Sequence, residues 1–479
     1  MLMYYTNKVM QGIIKKMAKR VFRKANLDIG LLLGFLLVLV FLSLHVVRQH
    51  VNHPLSGDEP HYLLMDYSLK VDHDLDLKNN YINLDYFRYY PDYINSHVSP
   101  LNLEHKGSGW YSFHGVGLPL MLFPGFLIDE RTLPMLLMIG VAVIVLLLTG
   151  VWCYRLTRNR TYSILTAVLL ACCYFFNGLA GYIYPDLVIA AIILALLILL
   201  TSDLSKRWPQ LLYGMLLGLM VTVHPKTLAL VIPFIIVGGF VSYRKAKTLP
   251  WFVILGGLPF AVFFFLALWR WYGTLNPAEI YPTYLGIISP LKSIPASLFD
   301  SQRGLLVYNP ILILIFSGVF VWWKVSKQTL FVTLLIIAPA YIVTMCFSEW
   351  WGGYAPTGRY LMNYIPAVMP AITYLLIYIK KWYERCLVIT LALITAIFTL
   401  LATYMKTPYP SGQLRSEFFK GIEDQVGVAF DKVLPHYNLK TELIGQFGIW
   451  KVMVGLTLIA IFVYFGYVVA SRLKGKSIV

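Results

Sequence analysis

The stretch Ser56-Gly57-Asp58-Glu59-Pro60-His61-Tyr62-Leu63 sets two carboxylates side by side just past the first long apolar run. A carboxylate at an apolar boundary is pushed toward a higher pKa, which suits it to take a proton from a hydroxyl. Acids are also favoured in the first turn of a helix, and Pro60 fits such a turn, so the pair reads equally as a cap. Asp58 and Glu59 are therefore candidates for one general base, either of them serving. A divalent metal on the same carboxylates is the alternative; no cofactor is otherwise implied.

Three basic groups stand where the outer ends of spans are expected. They are Lys226 in Val223-His224-Pro225-Lys226-Thr227, Arg303 in Asp300-Ser301-Gln302-Arg303-Gly304, and Arg359 in Pro356-Thr357-Gly358-Arg359-Tyr360. Outer cations run against the usual charge bias of membrane proteins. Helix termini of this kind also hold phosphate, so Lys226, Arg303 and Arg359 form a candidate clamp for a lipid-linked phosphate. The plainer reading is snorkelling toward headgroups.

Asp186, in Tyr184-Pro185-Asp186-Leu187, opens a span as a cap or as a wall of the site. His61 lies three residues from Asp58 on one helical face, and His97, His105, His114 and His224 are also expected outside. No recognised metal-ligand spacing joins them. Trp350-Trp351-Gly352-Gly353-Tyr354 reads as an interfacial aromatic belt or, with Glu349, as a loop on which a sugar stacks. His61, Asp186, Trp351 and Tyr360 are the substrate-binding candidates.

Membrane helices must position these groups. The 479 residues are 58% hydrophobic and 13% charged, with mean hydropathy +0.67. A soluble domain cannot hide that much apolar surface. At about 20 apolar residues per crossing, twelve runs qualify: 29–47, 132–154, 162–178, 185–201, 209–223, 225–241, 250–270, 310–323, 329–347, 359–379, 386–404 and 451–470. The fold class expected is an all-α polytopic membrane protein of about 12 transmembrane helices. Interfacial helices are expected in the first outer loop, one with Leu63, Tyr67 and Val71 in a stripe and one over 115–128.

With the N-terminus inside, 23 of the 40 Lys and Arg fall on inner segments, against only Asp28, Asp203 and Glu384 of the 23 acids. The inner face then carries +20 and the outer face −3 of the total +17. This is the positive-inside pattern, and it argues against nucleic acid as the partner of the basic charge. It places both termini in the cytoplasm and the basic N-terminus beside anionic lipid. The run at 29–47 is expected to be an uncleaved anchor. The five Cys lie in or near spans without a Cys-x-x-Cys pair, which argues against disulfides and a zinc thiolate site.

The chain divides into a basic N-terminus (1–28), a membrane module with outer loops 48–131 and 271–309 (29–404), an outer amphipathic segment (405–450), and a last span with its tail (451–479). The outer segment repeats Leu414, Phe418, Ile422, Val426, Phe430 and Leu434 at helical spacing. Gly30-x-x-x-Gly34 and Gly214-x-x-x-Gly218 suit close helix packing. No Walker loop, Rossmann glycines or Gly-x-Ser-x-Gly elbow occurs, so ATP and nicotinamide chemistry are not supported.

In order along the chain, these motifs resemble the GT-C membrane glycosyltransferases, especially the branch of protein O-mannosyltransferases and the lipid A aminoarabinose transferase. The resemblance rests on Asp58-Glu59, the 118–128 helix followed by Glu130-Arg131-Thr132-Leu133-Pro134, Asp186, Pro225-Lys226, Arg303-Gly304 and Gly358-Arg359-Tyr360. The sixth-span motif departs from the family's usual Lys-Gly-Pro and reads His224-Pro225-Lys226. The large outer C-terminal domain of some members is expected to be absent.

The resemblance implies a polyprenyl-phosphate (or diphosphate) sugar donor and a glycan, lipid or protein acceptor. It implies an active site on the outer face of the plasma membrane, in cell-envelope synthesis. Asp58 is then the base, while Lys226, Arg303 or Arg359 neutralises the departing phosphate. Two rivals stand beside this reading: a secondary transporter or flippase, and a lipid-glycan ligase or polymerase. The transporter fits less well, because its charges belong at mid-bilayer and those of this chain gather at span ends.

Overall fold

The computed structural model describes residues 55, 57–89, 103–104, 109–247, 250–280, 286–300, 303–353, 355–404 and 449–473. The expected first span 29–47, the basic N-terminus, His97, His105 and nearly all of 405–450 lie outside the described residues.

Among the described residues, five helices are long and apolar enough to cross a bilayer: Thr132–Thr157, Pro225–Lys245, Trp251–Tyr272, Pro310–Met345 and Trp382–Ala402. Helices Arg160–Ala171 and Tyr174–Ala180 meet at 70° and add a sixth if taken as one bent span. Asp186–Leu200, Ile365–Tyr378 and Gly455–Ser471 are apolar but shorter. These helices make the chain an integral membrane protein. Of the twelve crossings expected, the first lies outside the described residues, and two local features bear on how the others divide. Some apolar runs form helices too short to span alone. The runs at 310–323 and 329–347 are two helices set apart by a kink at Ser326 (φ −149°, ψ 72°), as their separate apolar runs predict.

The spans pack through small residues. Helix Arg207–Val223 lies along Trp251–Ala267. A Cβ on Gly214 would stand 2.0 Å from the Val253 carbonyl oxygen. Only glycine allows that approach, so the Gly-x-x-x-Gly spacing here is a packing device.

Outside the spans, Glu59–Val71 forms a helix that packs against Gly117–Phe126. Leu63 is enclosed by protein, whereas Val71 is half exposed. The expected apolar stripe is therefore covered by protein at Leu63 and open at Val71. Gly117–Phe126 buries Leu118, Leu122 and Phe126 and exposes Leu120 and Met121. Lys70 and the Tyr89 hydroxyl both reach Glu130 at 2.9 Å, tying this region to the start of Thr132–Thr157. The acidic stretch forms a turn in which Asp76 Oδ1 accepts from the Lys78 and Trp110 amides. A short antiparallel pair, Leu103–Glu104 with Tyr111–Ser112, then leads into His114.

Candidate active site

Four segments remote in sequence each deliver one charged group to the same place. Asp58 occupies the N-cap position of the Glu59–Val71 helix, with Pro60 in its first turn. Asp186 begins Asp186–Leu200 directly after Pro185, a residue suited to helix starts. Lys226 sits in the three-residue turn Pro225–Thr227. That turn is held by His224 Nδ1, which accepts the Lys226 amide at 3.2 Å, and by Thr227 Oγ1, which donates to the Met220 carbonyl at 2.9 Å. Arg359 opens the short helical turn Arg359–Asn363.

Arg359 is the hub. Its Nη2 donates to Asp58, its Nε to Asp186 Oδ2 at 2.8 Å, and its Nη1 to the Gly352 carbonyl at 3.0 Å. Its guanidinium lies 4.0 Å from the Tyr184 ring centre. Lys226 Nζ is 3.3 Å from Asp186 Oδ1 and 4.1 Å from the Tyr360 ring centre. Asn363 donates to the same Asp186 oxygen at 3.1 Å. Snorkelling is excluded for Arg359, which is 2% exposed. Asp58 makes no side-chain cap hydrogen bond, because Arg359 takes its carboxylate. Two carboxylates and two cations thus neutralise one another in a buried place, where removing any one leaves an uncompensated charge.

The Asp58 side chain keeps 25% of its surface open. Burial pushes its pKa up, but the Arg359 guanidinium and His114 outweigh burial and hold it well below the usual carboxylate range. His114 Nε2 stands 3.7 Å from Asp58 Oδ1. His61 stacks on His114 with ring centres 4.8 Å apart. Burial, aided by His114, drives the His61 pKa down to about 3, so its ring stays neutral.

Two hollows flank this cluster. On the Arg359 side a small open hollow is lined by Ser297, Arg303, Trp350, Trp351, Arg359 and Tyr360. Arg303 lies 4.5 Å from the Trp351 ring centre. Glu349 is raised above its ordinary pKa by burial and by the Asp58 charge, against the pull of Arg303 and Arg359. On the His114 side a narrow apolar cleft runs between Phe113, Val116, Phe263, Leu268 and Trp271.

The structure brings together Asp58, Asp186, Lys226 and Arg359, and sets Arg303, Trp351 and Tyr360 around the adjoining hollow. It separates the other two candidates from them. Glu59 has no exposed surface, and its Oε1 accepts the Ile183 amide at 3.1 Å. Its charge acts on Arg131. Glu59 therefore anchors the backbone at Ile183 and is no longer a candidate base. His61 is enclosed and supports the His114 ring in place of lining the hollow. Sequence reasoning missed Tyr184 and Asn363 and gave His114 no role. Two of them carry a local signal: Tyr184 is two residues before Asp186, and Asn363 is one helical turn past Arg359. Among the described residues, no three His, Cys, Asp or Glu side chains form a group that could hold a metal ion.

No family model and no curated protein matches the chain. Among solved structures, ArnT from Cupriavidus metallidurans bound to undecaprenyl phosphate matches with a TM-score of 0.51 at 11% identity. That match covers 92% of this chain and 76% of ArnT. The archaeal oligosaccharyltransferase AglB from Archaeoglobus fulgidus, in complex with an inhibitory peptide and a dolichol-phosphate, matches with a TM-score of 0.37 at 12% identity. That match covers 92% of this chain and 55% of AglB, so the chain spans about half of AglB's length. At such identities the likeness is one of fold: the chain has the GT-C fold of membrane glycosyltransferases.

Proposed function

We propose that this protein is an inverting glycosyltransferase. It moves a sugar from a polyprenyl-phosphate (or diphosphate) carrier to an acceptor hydroxyl at the outer face of the plasma membrane, with residues 29–404 as the catalytic module. The observation that carries the reading is a partly exposed Asp58 carboxylate joined through Arg359 to a hollow walled by Arg303, Trp351 and Tyr360. A base, cations and stacking rings at one opening match the needs of sugar transfer from a phosphate leaving group.

The chain of events follows from the charges. The donor phosphate enters beside Arg303 and competes with Asp58 for the Arg359 guanidinium. Charge-assisted hydrogen bonds from Arg359, Arg303 and Lys226 then hold it. Asp58, released from Arg359, returns toward ordinary carboxylate basicity and takes the proton of the acceptor hydroxyl. The acceptor oxygen bonds to the anomeric carbon as the bond to the phosphate oxygen breaks. The electron pair leaves on the phosphate, where the cations stabilise it. One displacement inverts the anomeric carbon, and a phosphate needs no protein acid to depart.

The test is to incubate the purified protein with a panel of polyprenyl-phosphate sugars and candidate acceptors and to weigh the products. The expected products are a glycosylated acceptor of inverted configuration and free polyprenyl phosphate. Failure of every donor to lose its sugar, or full turnover by Asp58→Asn, overturns the reading.

A further inference from the structure

We infer that His114 is a second catalytic residue, whose Nε2–H holds the acceptor hydroxyl against Asp58. The inference rests on the glycosyl-transfer reading and deepens it by assigning the acceptor side of the site.

The two oxygens of the Asp58 carboxylate have different neighbours. Oδ2 is held by Arg359, on the donor side. Oδ1 faces His114 Nε2 across 3.7 Å. That gap is too wide for a good direct hydrogen bond. It is narrow enough for one oxygen atom to bridge, accepting from Nε2–H and donating to Oδ1. A hydroxyl so placed points its proton at the base and has a lone pair left for the anomeric carbon.

The tautomer follows from the partners. An ionised carboxylate only accepts, so the ring nitrogen that faces it carries the proton. The other nitrogen, Nδ1, lies 3.0 Å from Ser112 Oγ. Ser112 Oγ also accepts the His114 amide at 3.2 Å, which leaves its own proton for Nδ1. The Tyr272 hydroxyl donates to the Ser112 carbonyl and fixes that turn.

The ring is held in position as well as in tautomer. It stacks against His61 at 4.8 Å and Phe113 at 4.3 Å, and Tyr62 meets it edge-on at 5.3 Å. The loop is also fixed, because a Cβ on Gly115 would stand 2.3 Å from the Val223 carbonyl oxygen. Val223 lies two residues before the turn that carries Lys226, so the acceptor-side histidine and a donor-side cation are tied to one close contact.

In the step itself the acceptor O–H bond breaks, and its proton goes to Asp58 Oδ1. The acceptor oxygen bonds to the anomeric carbon of the polyprenyl-phosphate sugar, and the sugar–phosphate bond breaks with its electron pair leaving on the phosphate. His114 keeps its proton throughout.

The experiment compares His114→Gln, His114→Asn and His114→Phe with wild type at saturating polyprenyl-phosphate sugar, varying the acceptor. Glutamine places an amide N–H near the position of Nε2, whereas asparagine reaches only as far as Nδ1. The expected result is a loss of about 10- to 100-fold in kcat/KM for the acceptor in the Asn and Phe variants. Glutamine restores most of it, and donor affinity stays unchanged in all three. Asn or Phe variants at wild-type kcat/KM, or a Gln variant no better than Asn, overturn the inference. The Asn–Gln contrast decides alone if the Phe variant fails to fold. If wild type transfers no sugar, the underlying reading fails, and that outcome is seen before any variant is assayed.

Discussion

Arg359 binds both acids of the site at once, so its removal acts on folding and on donor binding together. Arg359→Ala leaves Asp58 and Asp186 facing each other without their shared partner, which costs about 3–5 kcal/mol for a buried pair broken on one side. Arg303 lines the open hollow against Trp351. Arg303→Ala is expected to weaken donor binding about tenfold with little change in the thermal midpoint. Donor titrations run beside thermal unfolding separate the two, and equal effects on stability would refute the distinction. Asp58→Asn is expected to lower turnover by about 10²–10⁴-fold, read as initial rates, while donor affinity rises because no carboxylate competes for Arg359.

Asp66 gives a second test at the same scale. Both of its carboxylate oxygens are buried without a hydrogen-bond partner, and burial pushes its pKa up to about 9. The folded state therefore keeps a proton that the unfolded chain gives up near its ordinary value of about 3.9. The sign follows: wild-type stability is fully present below about 3.9 and is lost as pH rises toward about 9. Asp66→Asn is expected to flatten that slope in thermal midpoints measured between pH 5 and 9 (roughly the window between the two values). An unchanged slope would exclude Asp66 as its source.

At the scale of elements, the site depends on how closely two chain turns approach. Gly115 touches the end of helix Arg207–Val223, just before the turn of Lys226. Gly115→Ala inserts a methyl group where no space exists. It is expected to lower transfer at least tenfold, since small misplacements in a catalytic site are costly. Helix content by circular dichroism is expected to hold. Full activity would show that the two turns can part without consequence.

Much at this scale was legible in the sequence. The helix starts at Pro60 and Asp186, the break at His224-Pro225 and the packing role of Gly214 follow from local chemistry. The 70° bend between Arg160–Ala171 and Tyr174–Ala180 did not follow. Whether a single apolar run bends depends on what packs against it.

Taken as a whole molecule, the protein balances its charged cluster internally before any substrate arrives. On the proposed function, a donor phosphate must displace an internal carboxylate, so binding and opening of the Asp58–Arg359 pair are expected to be coupled. Saturation with polyprenyl phosphate at about 100 times Kd is expected to stabilise the fold by about 2.7 kcal/mol. Thermal shifts in detergent or nanodiscs check this. The shift is expected to shrink in Arg303→Ala, and an identical shift in the variant would place the phosphate elsewhere.

The sequence by itself determined that the chain lives in a membrane, because 58% hydrophobic residues in long runs cannot be enclosed otherwise. It also determined which residue kinds stand at the helix ends, since caps, prolines and charges are local matters. Tertiary structure alone decided which carboxylate meets the cations. Asp58 and Glu59 are neighbours in the chain, yet one residue turns a helix by about 100°. That rotation sends Asp58 to Arg359, 301 residues away, and Glu59 to the Ile183 amide. A contact across 301 residues has no local signature. It exists only because the helices between pack in one arrangement, and that arrangement makes Asp58, Asp186, Lys226 and Arg359 a single site.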